Sequence, residues 1–183
     1  MDTVDRGGEY LRCADPSWSD PLDGSYSIRF GGRWNAAGTF PVVYLSGDRD
    51  TARGNARHLL TKGFDVVFVS AEDLDPSELP TLVVTEVPHD HYVDVVTDSG
   101  CINAGLPASY PYDPMGNIIA HSVCQPIGLA SWINQDPGIA CRSAAPGSPP
   151  AGEELAYFDR PGKKLNPIGD PIPFEDWYGP IDW

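Results

Sequence analysis

The sequence predicts an α+β fold in which short strands alternate with a few helices. Short apolar runs rich in Val, Ile and Tyr recur along the chain, whereas few segments show helical periodicity. The 19 glycines and 19 prolines place many turns between these elements. The chain has 183 residues, of which 41% are hydrophobic, and this suits one domain with an ordinary packed core.

The N-terminal third is predicted to form two strands, a sharp turn and a helix. Tyr10 to Arg12 ends a short strand, and Asp15 to Ser25 is a loop punctuated by proline and glycine. Two glycines break the chain within Phe30 to Asn35, and the apolar run Pro41 to Leu45 is a buried strand. A helix is expected from about Arg49 to Lys62, since its apolar residues share one face and a glycine follows it.

The rest of the chain is predicted to be strand-rich. Pro126 is expected in the first turn of a helix that runs to about Asn134. Ser99 to Gly116, rich in Gly, Pro and Tyr, is expected to be irregular. The expected strands are Asp65 to Ser70, Thr81 to Val87, Tyr92 to Val96, Ile139 to Arg142 and Glu154 to Phe158.

No long linker divides the chain, so residues 1–183 are expected to form one domain with a core at about 10–165. Residues 166–183 are a tail rich in proline and aromatic residues. Its side chains Trp177, Tyr178 and Trp183 either cap the core, which is the commoner arrangement, or form a docking strip.

Charge and composition exclude several functional classes. The net charge of −14 repels phosphate backbones and anionic lipids, so neither a nucleic acid nor a membrane is an expected partner. No apolar run approaches the roughly 18 residues that span a bilayer. The polar N-terminus does not resemble a signal peptide, so a cytoplasmic location is expected. The four cysteines are widely spaced, so no metal site is expected.

A few residues have side chains suited to binding a ligand. The two glycines of Phe30 to Asn35 allow a ligand to approach the backbone, and Arg33 offers a planar fork for phosphate. Trp34 is either a stacking surface or a core anchor. Taken alone, Arg12 is more simply a structural ion-pair partner, and Tyr44 a core residue. Neither Ser143 nor Ser122 lies in a Gly-x-Ser-x-Gly elbow, so a hydrolase triad is not indicated.

Taken together, these segments resemble the RES domain family over roughly residues 10 to 165. The most specific part is Gly-Gly-Arg-Trp-Asn at 31–35, followed by the Val-Val-Tyr-Leu strand at 42–45. The similarity also covers Tyr10-Leu11-Arg12, Gln125-Pro126-Ile127-Gly128, Arg142-Ser143-Ala144 and Glu154 to Phe158.

The resemblance implies a fold like that of ADP-ribosyltransferases, mostly antiparallel strands with inserted helices, and NAD+ as the substrate. It implies cleavage of the nicotinamide–ribose bond by an NAD+ glycohydrolase, phosphorylase or ADP-ribosyltransferase that acts as a bacterial toxin. Arg12 takes the position of the family's first arginine, with Arg33, Trp34 and Tyr44 at the pocket. Ser143 is the first candidate for the family's serine, and Ser122 is the second. An Xre-like antitoxin and a homodimer are further implied partners.

The family's glutamate is missing from its expected position. It belongs on the helix after the tyrosine strand, where counting from Tyr44 leads to Asn55. An amide can hold a ribose hydroxyl, but it cannot supply the negative charge that steadies a developing positive charge on the sugar. Two alternatives to the usual enzyme therefore stay open. One is a non-catalytic module that binds nucleotides, and the other is a related reaction in which another group supplies the charge.

Overall fold

Within residues 1–60, 75–145 and 147–179, which the computed structural model describes, five strands close into a barrel and five helices lie around it. The strands follow one another around the barrel in the order β1-β2-β5-β4-β3. In chain order the elements are β1 (Thr3–Ala14), α1 (Ser25–Phe30), β2 (Val42–Ser46), α2 (Arg49–Leu60), β3 (Thr81–Val95), α3 (Asp98–Asn103), α4 (His121–Ile133), β4 (Gly138–Arg142), β5 (Glu153–Phe158) and α5 (Phe174–Trp177).

The barrel is mostly antiparallel. β1 pairs with β2 and β3, and β5 pairs with β2 and β4, all in antiparallel fashion. β3 and β4 form the parallel pair. The predicted α+β class is therefore confirmed, with strands paired mainly in the expected direction.

Side-chain alternation along β2 and β5 gives the barrel wall two different faces. Val43 and Leu155 pack in one apolar cluster with Tyr10 and Tyr92, whereas Val42 and Phe158 pack in a second cluster around Trp34. Because successive strand residues point to opposite sides, the polar ends of both strands share the face of the second cluster. The polar or amphipathic residues on this face are Tyr44, Ser46 and Glu154.

Helix α2 begins at Arg49 as predicted, and the Asp48 carboxylate accepts a hydrogen bond from the Thr51 amide at 2.7 Å. This bond satisfies one of the free N–H groups of the first turn. The predicted last residues of the helix, and the strand expected at 65–70, lie outside the described residues.

Helix α4 corrects a prediction, because it begins at His121, five residues before Pro126. The missing N–H of Pro126 leaves only the Ser122 carbonyl, in the first turn, without its helical partner. Packing explains why this turn still forms: Cys124 is fully buried, and a Cβ at Gly128 would lie 3.1 Å from Trp34 Cα.

Three further segments differ from the predictions. The two strands expected at 81–87 and 92–96 are one strand, β3, because β1 reaches back to Thr3 and pairs along it with a register shift between Arg6 and Gly8. Helix α1 forms directly after the predicted loop, where no helix is predicted, and helix α3 lies largely within the segment expected to be irregular. The Thr97 hydroxyl caps α3 by accepting a hydrogen bond from the Gly100 amide. The Gly, Pro and Tyr content of the segment does not reveal this capping residue.

Residues 166–179 pack against the barrel, and Trp183 lies outside the described residues. Ile172 forms a bridge with Leu82 of β3, and Phe174 and Trp177 are buried against Ala52 and other residues of α2. The aromatic residues of the tail that the structure describes therefore cap a small apolar cluster. None of the helices in the described ranges is long and apolar enough to cross a membrane.

Candidate functional site

A cleft of about 430 Å³ opens where the polar ends of β2 and β5 meet α2 and the turn after α1. A volume of this size suits a small organic ligand. The lining residues that could carry chemistry are Arg12, Trp18, Tyr26, Arg33, Tyr44, Ser46, Asn55, His58, His121 and Glu154.

Arg12 of β1 lies in this cleft with only 6% of its surface exposed. Its Nη1 has no hydrogen-bond partner among the described residues. Burial lowers its pKa to about 10, an effect that the neighbouring carboxylates of Asp23 and Asp20 oppose. Arg12 is therefore still a cation at neutral pH, and an anionic ligand would satisfy both its charge and its unpaired donor.

A row of aromatic rings begins at the Arg12 guanidinium. Trp18 lies beneath it at 5.1 Å, and the Trp18 and Tyr26 rings are 4.9 Å apart. Tyr26 is exposed and contacts the Phe30 ring at 4.6 Å. These faces offer apolar surface next to a cation, which suits a ligand that combines a planar base with phosphate.

Tyr44 holds the turn that forms one wall of the cleft. Its hydroxyl accepts a hydrogen bond from the Trp34 amide at 2.9 Å and donates one to Asn35 Oδ1 at 2.8 Å. Gly32 packs so closely on the ring that a Cβ there would lie 2.6 Å from its edge. The Tyr44 hydroxyl is thus used within the protein, and the ring is what it offers to a ligand.

Arg33 lines the cleft, but the adjacent Trp34 does not. Arg33 donates one hydrogen bond to the Ile119 carbonyl at 2.9 Å, which fixes the side chain beside His121. The Trp34 side chain is fully buried, its indole N–H points to Cys141 Sγ at 3.4 Å, and its ring packs 5.9 Å from Tyr110. The structure therefore makes Trp34 a core anchor, because the tight turn directs neighbouring side chains to opposite sides.

Asn55, at the position expected for the family's glutamate, faces a carboxylate from another strand. Its amide nitrogen donates to Glu154 Oε1 and to Ser46 Oγ, at 3.1 Å in each case. Ser46 and Glu154 are direct cross-strand partners on β2 and β5. The cleft therefore contains a carboxylate within hydrogen-bond distance of Asn55, although it comes from the opposite wall.

Ser143 is placed behind this carboxylate. Its hydroxyl donates to Glu154 Oε1 at 2.7 Å and lies 2.9 Å from Ser148 Oγ. Burial raises the pKa of Glu154, and the hydrogen bonds from Ser143 and Asn55 act in the opposite direction. Two donors thus fix one carboxylate oxygen and favour its charged form.

Ser122 is not brought to the cleft. It is the second residue of α4, its side chain is exposed, and it is not among the lining residues. In the described ranges, no group of three or more His, Cys, Asp or Glu is arranged to hold a metal ion.

The sequence motifs place Glu154 in a strand and do not predict it as a functional residue. One signal was present: two acids, Glu153 and Glu154, begin a buried strand, and alternation must turn one of them inward. Glu153 instead pairs with Arg6, at 2.6 Å. Trp18, Tyr26 and His58 were also missed, because loop and helix residues reach the cleft only through the fold.

Comparison with known proteins supports the architecture. No curated protein sequence matches the chain. The chain superposes with a TM-score of 0.70 on a chain of the crystal structure of the M. tuberculosis MbcT–MbcA toxin–antitoxin complex. The two chains share 22% sequence identity over 96% of this chain and 91% of that one, and the similarity confirms the predicted fold. The family model described as RES domain matches residues 9–175. The chain belongs to the RES domain family.

Proposed function

We propose that this protein is a RES-family toxin that binds NAD+ in the cleft and cleaves its nicotinamide–ribose bond. The observation that carries the proposal is Arg12, a buried cation with an unpaired donor at a cleft in a protein of net charge −14. An acidic protein repels anions in general, so a fixed cation at this point favours one anionic ligand in one place. The diphosphate of NAD+ has the matching charge and acceptors.

The remaining residues suit the rest of the ligand. Arg33 lines the same cleft and would share the diphosphate with Arg12. Trp18 and Tyr26 offer ring faces for a base, and the Tyr44 ring offers a surface for the nicotinamide ribose. The family assignment and the similar fold in a toxin–antitoxin complex support the same ligand and role.

The direct test is to incubate the purified protein with NAD+, with and without phosphate, and to separate the products by chromatography. Release of nicotinamide with ADP-ribose indicates hydrolysis. A phosphorylated ADP-ribose that forms only with phosphate indicates phosphorolysis, and label retained on a protein indicates ADP-ribosyl transfer. Intact NAD+ under all conditions contradicts the proposed activity.

A second candidate function is a non-catalytic module that binds NAD+. Asn55 favours it, because the amide brings no charge to the position of the family's glutamate. Calorimetry separates the two functions: binding of NAD+ without any release of nicotinamide supports the module.

We also propose an antitoxin protein as a partner, by analogy with the M. tuberculosis toxin–antitoxin complex, and the RES resemblance implies that it is of the Xre-like type. Expression of the chain alone should slow bacterial growth, and co-expression of the cognate antitoxin should restore it. Homodimer formation remains a prediction that light scattering on the purified protein can test.

A further inference from the structure

Glu154 is the one acidic side chain among the described residues that line the cleft. It is partly buried at the start of β5, with Ser46 of β2 as its cross-strand partner. A carboxylate in such a position is costly to desolvate, so the structure must supply partners that stabilise its charge. Asn55 and Ser143 do so from two different elements.

We propose that Glu154 is the catalytic carboxylate of this protein, supplied from β5 in place of the acid that is missing at position 55 of α2, with Asn55 and Ser143 as its positioning residues. The inference rests on the proposed cleavage of NAD+. It assigns Asn55 a role that differs from that of a lost catalytic group: the amide is a donor that holds the carboxylate.

The carboxylate of Glu154 and the amide of Asn55 are chemically compatible neighbours. An amide and a carboxylate at 3.1 Å form a favourable hydrogen bond, whereas two carboxylates at this distance repel each other. A glutamate at position 55 would therefore conflict with the ionised Glu154. The pair supplies one negative charge and one donor, whichever strand or helix carries the acid.

The proposed reaction balances with water as the acceptor. The bond between nicotinamide and ribose C1′ breaks, its electron pair leaves with nicotinamide, and nicotinamide departs as a neutral molecule. Positive charge develops on the sugar, where the Glu154 carboxylate stabilises it and accepts a hydrogen bond from a ribose hydroxyl. Water forms the new C1′–O bond and releases a proton to solvent, so that Glu154 ends unchanged.

Glu154→Gln tests the proposal, because the amide oxygen can still accept the hydrogen bonds from Asn55 and Ser143. We expect kcat for NAD+ cleavage to fall by about 10²–10³, as when one preorganised electrostatic group is removed. KM and the calorimetric Kd for NAD+ should change by less than about threefold, since the contacts that bind NAD+ equally in the ground state and the transition state are retained.

Glu153→Gln is the matched control. It makes the same chemical change one residue away, on the opposite side of the strand, where Glu153 pairs with Arg6. Its kcat should stay within about twofold of the wild-type value, since one partly exposed ion pair contributes little. The double variant Asn55→Glu/Glu154→Gln, called the exchanged variant, should have a kcat at least about tenfold higher than that of Glu154→Gln, because it restores one carboxylate next to one amide.

The wild-type protein offers a test that needs no change at Glu154. Because its pKa is raised, kcat should fall on the acid side at a higher pH than an ordinary glutamate would give. The acid limb should persist in His58→Gln and His121→Gln, the two histidines of the cleft. The other charged or titratable groups that act on Glu154 are Arg33, Tyr44, Tyr110 and Cys141.

The outcomes are distinct. Wild-type kcat in Glu154→Gln, or an acid limb of kcat that Glu154→Gln leaves unchanged, overturns the role of Glu154 and leaves the proposed function standing. If the wild-type protein does not consume NAD+, both the role of Glu154 and the proposed cleavage of NAD+ are overturned. A selective loss of kcat in Glu154→Gln, with recovery in the exchanged variant, supports the assignment.

Discussion

Two regions of the cleft each contain a charged side chain, and the two side chains differ in how many hydrogen-bond partners the protein gives them. At the β1 side, the Arg12 guanidinium is buried and one of its donors is unpaired among the described residues. At the β5 side, the Glu154 carboxylate is held by donors from both Asn55 and Ser143.

Strand order sets the spacing of these two regions. The cross-strand partners Leu11, Ser46 and Glu154 run from β1 across β2 to β5, so strand β2 separates the part of β1 that carries Arg12 from the start of β5. An unsatisfied cation suits recognition, because its energy is gained only when an anion binds. A fully supported carboxylate suits chemistry, because its geometry is set before the substrate arrives.

Apart from the Glu154→Gln variant, the largest effect is expected at the recognition side. Arg12→Ala removes charge-assisted hydrogen bonds worth about 1.5–3 kcal/mol each, so two contacts to the diphosphate correspond to a loss of about 10² or more in kcat/KM. Most of the loss should appear in the Kd for NAD+ by calorimetry. Arg29→Ala is the control, because Arg29 is exposed over the Phe30 ring and does not line the cleft. Unchanged NAD+ affinity in Arg12→Ala would remove Arg12 from the site.

Asn55→Glu tests the Glu154 side of the cleft. If Glu154 supplies the catalytic charge, a second carboxylate beside it forces one of the two to hold a proton and displaces the other. We expect kcat to fall by about tenfold, with a shift of the acid limb to higher pH. Steady-state kinetics across pH measures both effects. An increase in kcat would instead show that position 55 is the natural place for the acid and that Glu154 is dispensable.

A smaller effect is expected for Ser143→Ala, which removes one donor from the Glu154 carboxylate. A hydrogen bond to a charged group is worth about 1.5–3 kcal/mol, and part of this is recovered if water replaces the hydroxyl, so kcat should fall about five- to tenfold with KM unchanged. Ser122→Ala serves as the matched comparison, because Ser122 is exposed on α4. Equal losses in the two variants would contradict the assigned role of Ser143.

The smallest change in activity is expected for Tyr44→Phe. The ring stays in the cleft, but the Trp34 amide and the Asn35 side chain each lose a partner. The free energy of unfolding should fall by about 1–3 kcal/mol, and kcat should change by less than about threefold. Chemical denaturation and NAD+ kinetics measure the two quantities. A large loss of kcat without loss of stability would mean that the hydroxyl contacts the substrate.

How well each part could be predicted depends on how local its causes are. The strands β2 and β5 and the start of α2 follow from patterns within a few residues, and the structure confirms them. The start of α4 could not be read from Pro126, because burial of Cys124 and close packing at Gly128 extend the helix before the proline. The continuous strand β3 likewise depends on its pairing with a long β1.

The sequence alone determined the α+β class and the RES resemblance, because motifs and side-chain periods are local properties. Only the tertiary structure brought Glu154 to Asn55, which is 99 residues away in the chain, and put Trp34 in the core. The physical reason is that the function of a carboxylate depends on its neighbours in space. Those neighbours are set by strand order and register, which no short segment of sequence contains.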